Sequence, residues 1–513
     1  MKLSDNQTII FGPPGCGKTT TLLSIMEKHL NEGTDPNRVS FVSFTRKAVA
    51  EAKDRAISKF NFTDNDLPYF RTIHSLCFSV LGIDRKQIVD KVAMAEFGQW
   101  IGYRFTGAFD ESETGMPAGS EPGDKLLFHE NMARVQQRSL QEYWKDSNPG
   151  ISFQELERFA TGYRKYKDHS GLLDFTDLLE IYVRQGASLD IDVAIVDEAQ
   201  DLSSLQWSVI RRAFGGVHKM YIAGDDDQSI YKWSGADTKT FLELEGQRMI
   251  LSQSYRLPKR ILTFSNQIVK HITPRVKKDF KPQDREGSVS YVPFFEEMKF
   301  NPEETTLILA RNVYLLAPLY ARLRALGLAY KGRNGYSSVH APHVSAIKGW
   351  ELIRKGEMVS GKLTKDVYEQ LRVGEYLARG NKVKIANIKD RDELSYETLK
   401  EHFGLQKLAP WWDALQGISL EHKTYYRTLL RSGYKLSNHE NIQVNTIHGV
   451  KGSEADNVIV LSDMSSRTFE EYQSSSADEH RVSYVAATRT KQRLTIVQPQ
   501  TNKFYPYQLI CGV

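Results

Sequence analysis

Short apolar runs recur along the chain, each closed by a polar or glycine-containing turn. The first four lie at residues 8–11, 39–44, 193–196 and 220–223. The turns lead towards helically spaced segments; after the first run the apolar positions are Leu22, Leu23 and Met26. Alternation of buried strands with helices predicts a parallel sheet covered by helices, an α/β fold. A second set of runs at 249–251, 306–310, 458–461 and 494–497 predicts a second α/β domain.

Two stretches break this rhythm. Residues 80–173 are mainly helical in pattern, interrupted at 106–123 by a segment rich in Gly, Glu, Ser and Pro that reads as a mobile loop. Residues 337–440 are charged, with aromatic clusters at Trp411-Trp412 and Tyr425-Tyr426. Each stretch reads as an insertion. The expected layout is a first α/β domain from 1–79 and 174–247 with the insertion 80–173, and a second from 248–336 and 441–513 with the insertion 337–440. No repeat of fixed period is present.

Composition narrows the class. At 513 residues, with 40% hydrophobic and 26% charged positions, the chain is ordinary globular protein, not a disordered or fibrous one. No run of 18 apolar residues occurs, so no spanning helix and no membrane partner are expected. The first ten residues lack an apolar signal core. Cys16, Cys77 and Cys511 form no CxxC pair, which argues against a zinc site or a disulfide framework and suits a reducing cytoplasm. A net charge of +5 permits nucleic acid without arguing for it.

The chemistry concentrates at three places. Gly12, Pro13, Pro14, Gly15, Cys16, Gly17, Lys18 and Thr19, followed by Thr20, match the phosphate-loop pattern GxxxxGK[ST] between a strand and a helix. Glycines let backbone N–H groups turn around phosphate oxygens, and the helix N-terminus adds positive potential. Lys18 is placed to reach the terminal phosphates and Thr19 to hold Mg²⁺. Residues 193–196 form a buried strand with Asp197 and Glu198 at its C-terminal end, where α/β sheets bind ligands. Asp197 suits Mg²⁺, and Glu198 suits orienting and deprotonating an attacking water. After a further strand, Gln228 can sense a γ-phosphate through its amide. Asp225, Asp226 and Asp227 repel one another unless they are solvated, near a cation, or capping a helix, and the sequence leaves that choice open.

These segments, with others in the same order, resemble superfamily 1 helicases of the UvrD/Rep type. The matching pieces are GPPGCGKTT at 12–20, SFTRKAVAEAKDR at 43–55, TIHSL at 72–76, DFTDLL at 174–179 and VDEAQDLSSLQW at 196–207. They continue with AGDDDQSIYKWSGAD at 223–237, LSQSYRLPKRIL at 251–262, NTIHGVKGSEADNVIVL at 445–461 and RVSYVAATRTKQRLTIV at 481–497. The resemblance implies two RecA-like domains, each with an insertion, ATP bound between them, and movement 3′ to 5′ along single-stranded DNA. By position it implies that Tyr255 stacks on adenine, that Glu454 contacts the ribose, and that Arg256 and Arg489 reach the γ-phosphate from the second domain. It places Lys451 and Gly452 in a loop linking ATP to DNA.

The same resemblance places Phe44, Tyr231 and Trp233 along the DNA track, with Thr72, His74 and His448 as hydrogen-bonding contacts to the sugar-phosphate. Stacking platforms in a basic groove are how single strands are held. Between Arg256 and Arg285 stand nine basic and two acidic residues, a stretch that suits a phosphate backbone. The expected partners are single-stranded DNA and its junctions with duplex, and a monomer is expected, with room for an unidentified protein partner.

The chain departs from the family pattern in places. Gln7 lies only 11 residues before Lys18, without room for the helix that usually carries an LNxxQ-type adenine reader, so weak discrimination of adenine is expected. Ser234 stands where relatives often have arginine. The second insertion, about 104 residues, looks shorter than in larger relatives, and with the sequence ending soon after Val497 no appended nuclease domain is expected. An RNA-directed motor and a non-catalytic nucleotide switch in a repair or defence complex are the competing functions. The joint presence of Lys18, Asp197, Glu198 and Arg489 weighs against the switch.

Overall fold

The computed structural model describes residues 6–107, 119–434 and 440–512, the side chains of residues 47 and 334 excepted. Most of the segment expected to be a mobile loop, residues 108–118, lies outside the described residues. The chain forms two compact units, Met1–Gly287 with Glu470–Thr488 and Ile510–Val513, and Ser288–Phe469 with Arg489–Leu509.

The first unit is built on β1 (Gln7–Phe11), β2 (Val39–Ser43), β3 (Phe70–Thr72), β4 (Val193–Asp197), β5 (Lys219–Gly224) and β6 (Gln247–Ile250). They lie in the order β3-β2-β4-β5-β1-β6, parallel throughout. β2 and β4 are buried along their whole length, as central strands covered on both faces must be. The helix Lys18–Asn31 seats Leu22, Leu23 and Met26 on Ile10, Phe41 and Ile195, the helical spacing seen in the sequence.

The run at 249–251 was expected in the second sheet. Instead β6 pairs with β1, Thr8 opposite Gln247 and Phe11 opposite Ile250. An apolar run of three residues carries no signal of which sheet it joins, and β6 is an exposed edge strand. The first unit continues past the expected boundary at 248 as far as Gly287. It includes the helix Lys259–Val269, packed on the helix Ser476–Ala487.

The first insertion is helical, as its pattern predicts. Helices Lys91–Ile101, Pro122–Val135, Leu140–Ser147 and Phe153–Ser170 enclose a core of Met94, Phe97, Leu126, Leu156, Phe159 and Tyr163.

The second unit carries β7 (Ser288–Val292), β8 (Thr306–Ala310) and β9 (Tyr330–Lys331). A short antiparallel ribbon follows, β10 (Val359–Ser360) with β11 (Glu393–Leu394). Then come β12 (Ile442–Thr446), β13 (Ala455–Leu461) and β14 (Thr490–Val497). Its sheet is parallel in the order β7-β14-β13-β8-β12-β9. The second insertion has a core of its own around Trp350, Tyr368, Trp411, Tyr425 and Tyr426. Three of the four clustered aromatics seen in the sequence are therefore packing residues, and Trp412 is the exposed one.

Candidate nucleotide and nucleic-acid site

β1 delivers the chain at Phe11 into the phosphate loop, and the helix Lys18–Asn31 leaves it. Gly15 and Gly17 have φ of 71° and 78°, the left-handed region that glycine enters at no steric cost. At Gly15 a side chain is excluded outright, since a Cβ there would lie 2.3 Å from the Cβ of Arg256. The Lys18 ammonium donates to the carbonyls of Gly12 at 2.9 Å and Pro13 at 3.3 Å. No acidic side chain stands in the first turn of the helix, so its positive end is not offset there.

Thr19 Oγ1 donates to Asp197 Oδ2 at 3.0 Å, joining the loop to the end of β4. Asp197 is 1% exposed. Burial, and then the neighbouring Glu198 carboxylate, push its pKa up to about 7 against the opposing pull of the Thr19 hydroxyl. A buried carboxylate and a hydroxyl on adjoining elements form an oxygen donor set that suits a hard divalent cation.

Glu198 has φ of +53°, the left-handed region that non-glycine residues rarely enter. Its N–H donates to Asp197 Oδ1 at 2.9 Å. Gln200 Nε2 donates to Glu198 Oε2 at 2.5 Å and to Asp201 Oδ2 at 3.0 Å. Gln200 Oε1 accepts the Asp225 N–H at 3.0 Å, which ties the end of β4 to the end of β5. Asp225 Oδ2 in turn accepts from Gln228 Nε2 at 2.6 Å. Lys18, Thr19, Asp197, Glu198 and Gln228 thus gather at the C-terminal ends of β1, β4 and β5, where parallel sheets bind ligands.

The question left open by Asp225, Asp226 and Asp227 is answered by a cation from the protein. All three side chains are buried, and Lys278, also buried, bonds to Asp226 and stands 3.1 Å from Asp225 Oδ1 and 2.9 Å from Asp227 Oδ2. Arg275 grips Asp227 with two bonds of 2.8 and 2.7 Å. The basic stretch 256–285 was expected to follow a phosphate backbone, yet Arg275 and Lys278 turn inward to these carboxylates, and Lys259 pairs with Asp284. Gln200, Arg275 and Lys278 are the site residues that sequence reasoning missed. Three adjacent buried aspartates demand cations, and the nearest basic stretch was the place to seek them.

Ser254 Oγ donates to the Pro14 carbonyl at 2.9 Å and the Tyr255 N–H to the Gly15 carbonyl at 2.8 Å. Tyr255 itself is 72% exposed. Arg256 Nη1 donates to the Thr488 carbonyl at 3.4 Å. Arg256 was expected to reach the γ-phosphate from the second domain; it belongs instead, with Tyr255, to the unit that holds the loop. The chain contacts that decide this are tertiary, and no local pattern encodes them. Gln7 opens β1, at the end of that strand away from the loop, with its amide buried.

Phe44 and Tyr231 stack at 5.3 Å between ring centroids, and Tyr231 meets Trp233 edge-on at 6.2 Å. Only Trp233, 41% exposed, offers a face to solvent; Phe44 and Tyr231 are buried behind it. Ser234 is turned inward, its hydroxyl donating to the Tyr231 carbonyl at 2.8 Å. Thr72 caps the helix Ile73–Val80 by accepting the Ser75 N–H at 3.4 Å. His74 follows it, partly accessible and edge-on to Phe175. Burial of the ring lowers its pKa to about 4, so at neutral pH it offers a hydrogen bond and no charge.

The remaining candidates lie in the second unit. Arg489 sits between the end of the helix at Ala487 and the start of β14. It is 2% exposed, and its Nη1 donates to the Ser453 carbonyl at 3.3 Å. Glu454 forms an ion pair of 2.7 Å with Lys491. His448 is half-buried at the turn His448–Val450 that follows β12, and Lys451 and Gly452 continue from that turn.

Comparison with known proteins gives this arrangement a family. Residues 1–248 match the UvrD/REP helicase N-terminal domain, and residues 383–501 match the UvrD-like helicase C-terminal domain. The chain belongs to the UvrD/Rep helicase family. Its two parallel sheets are the RecA-like pair of that family. It is 30% identical over 312 residues to the probable DNA helicase II homolog of Mycoplasma capricolum, covering 55% of this chain and 41% of that protein. To the ATP-dependent DNA helicase PcrA of Bacillus subtilis it is 27% identical over 318 residues, covering 57% and 41%. To PcrA of Staphylococcus epidermidis it is 25% identical over 301 residues, covering 54% and 40%. The matches thus span about two fifths of the length of these UvrD/Rep relatives. All three cysteines are buried and free, and among the described residues no helix is long and apolar enough to cross a membrane.

Proposed function

We propose that this chain is an ATP-dependent DNA helicase or translocase that moves 3′ to 5′ on single-stranded DNA. One observation carries the reading. The phosphate loop, the Asp197-Glu198 pair and Gln228 form a continuous hydrogen-bonded assembly at the sheet edge, and Gln228 is followed within five residues by the exposed Trp233.

In this reading the loop N–H groups and Lys18 hold the β- and γ-phosphates. Thr19 and Asp197 are the residues that would hold Mg²⁺, which when bound neutralises phosphate charge. Glu198 accepts the proton of the attacking water, and the Gln200 amide fixes the orientation of its carboxylate. Gln228 reports the state of the terminal phosphate to residues 229–233. Tyr255, exposed beside the loop, is placed to stack on the base, while Trp233 stacks on nucleobases with Phe44 and Tyr231 behind it. Single-strand/duplex junctions are the proposed substrate and a monomer the proposed acting form. The names of the relatives, DNA helicase II homolog and PcrA, support DNA as the track.

The test is strand separation with Mg-ATP on duplexes carrying a 3′ or a 5′ single-stranded tail. Unwinding of the 3′-tailed duplex alone supports the reading. Unwinding of the 5′-tailed duplex alone reverses the polarity, and activity confined to RNA tails replaces DNA as the track.

A further inference from the structure

Three carboxylates in a row, each buried and with oxygens within 4.8 Å of one another, have the form of a cation site. That place is taken by Lys278, whose ammonium touches all three. The segment that carries it is fastened from several sides. The Val276 N–H donates to Asp226 Oδ2 at 2.8 Å, and Arg275 holds Asp227. Arg481 donates to the Asp226 carbonyl at 3.1 Å and to the Pro274 carbonyl at 3.0 Å, pinning the turn on each side of the cluster.

Asp225 differs from its two neighbours in what else it holds. Its carboxylate takes Lys278 on Oδ1 and the Gln228 amide on Oδ2 at 2.6 Å, while its N–H engages Gln200, which engages Glu198. A carboxylate that is shared between an ammonium and an amide fixes the amide in direction, because the ammonium fixes the carboxylate.

We propose that Lys278 is a positioning residue for ATP hydrolysis: it replaces a metal ion in the Asp225–Asp227 cluster and, through Asp225, sets the side chain of Gln228. This rests on the ATPase reading above. It assigns residues 274–278 a part in hydrolysis, although none of them belongs to the phosphate loop or to the strand ends that carry the other groups.

The test is a double-mutant cycle read by single-turnover ATP hydrolysis and by nucleotide affinity, on folded protein with single-stranded DNA present. Lys278→Met and Gln228→Ala are each expected to slow hydrolysis at least about tenfold and to leave ATP affinity within about threefold. The double variant is expected to be no slower than the slower single variant, because both changes remove the same placement of the amide. Lys278→Met leaves the buried Asp225 and Asp226 carboxylates without the ammonium, so the cycle is run in parallel with Asp225→Asn, which keeps the shape and removes the charge that Lys278 holds. If Lys278→Met does not fold, Asp225→Asn decides. Rate losses that multiply in the double variant, or wild-type hydrolysis in either folded single variant, overturn the positioning role. Wild-type protein that hydrolyses no ATP overturns the ATPase reading and the positioning role together.

Discussion

The Gln200 side chain spans two strand ends, donating to the Glu198 carboxylate at 2.5 Å and accepting the Asp225 N–H at 3.0 Å. Glu198 is held in a left-handed backbone conformation at the same point, so side chain and main chain are both constrained. A carboxylate fixed in this way is oriented before any water arrives.

Glu198→Gln is expected to bind ATP and to lose turnover at least about 10²-fold, because the water loses its base while the phosphate loop is untouched. Gln200→Ala removes the clamp and keeps the base, so a smaller loss, about tenfold, is expected in kcat with little change in KM. Steady-state hydrolysis with nucleotide affinity measured on the same preparations checks both. Near-normal hydrolysis in folded Glu198→Gln would remove Glu198 from the chemistry.

Trp233 is the one member of its aromatic row that faces solvent. Trp233→Ala is expected to weaken single-stranded DNA binding by roughly tenfold, the scale of one lost base stack, with Trp233→Phe close to wild type. Phe44→Ala and Tyr231→Ala create space behind it and should lower the melting temperature by the equivalent of about 2–5 kcal/mol. Titration of a labelled single strand, together with thermal melts, separates the two effects. Unchanged DNA affinity in Trp233→Ala would place the track elsewhere.

His74 gives a pH signature. Its pKa is lowered by burial to about 4, against about 6.5 in an unfolded chain. Between those values the unfolded chain binds a proton that the folded chain does not, so this residue's contribution to stability falls as pH drops from about 6.5 towards 4. His343 and His480 are lowered to about 4 in the same way and contribute equally to wild type and variant. The loss of melting temperature between pH 7 and pH 5 should therefore be smaller in His74→Phe than in wild type. Equal losses would show that His74 titrates normally.

The parts of this site that were legible in the sequence are those whose chemistry is contiguous. The loop from Gly12 to Thr19 and the pair Asp197-Glu198 each lie on one strand end, where a local pattern states both the structure and the reactive groups. Helices and strands with strong apolar spacing were legible for the same reason. What was not legible depends on pairing over long distances. The short run Met249-Ile250 joins β1 rather than the second sheet. Lys278 finds Asp225 across more than fifty residues, where a run of positive charge reads as surface until its partners are known. Phe44 and Tyr231 read as contact residues, but they are buried one behind the other, a matter of packing that aromatic identity does not encode.

The central claim, that this assembly is an ATPase driven by single-stranded DNA, is tested most directly by steady-state ATP hydrolysis. The protein is assayed alone, with single-stranded DNA, and with RNA of the same sequence, beside Lys18→Ala. The account predicts hydrolysis that rises at least about tenfold with DNA, rises much less with RNA, and is abolished in Lys18→Ala. Hydrolysis that is absent, or that persists in Lys18→Ala, or that responds to RNA as strongly as to DNA, would contradict it.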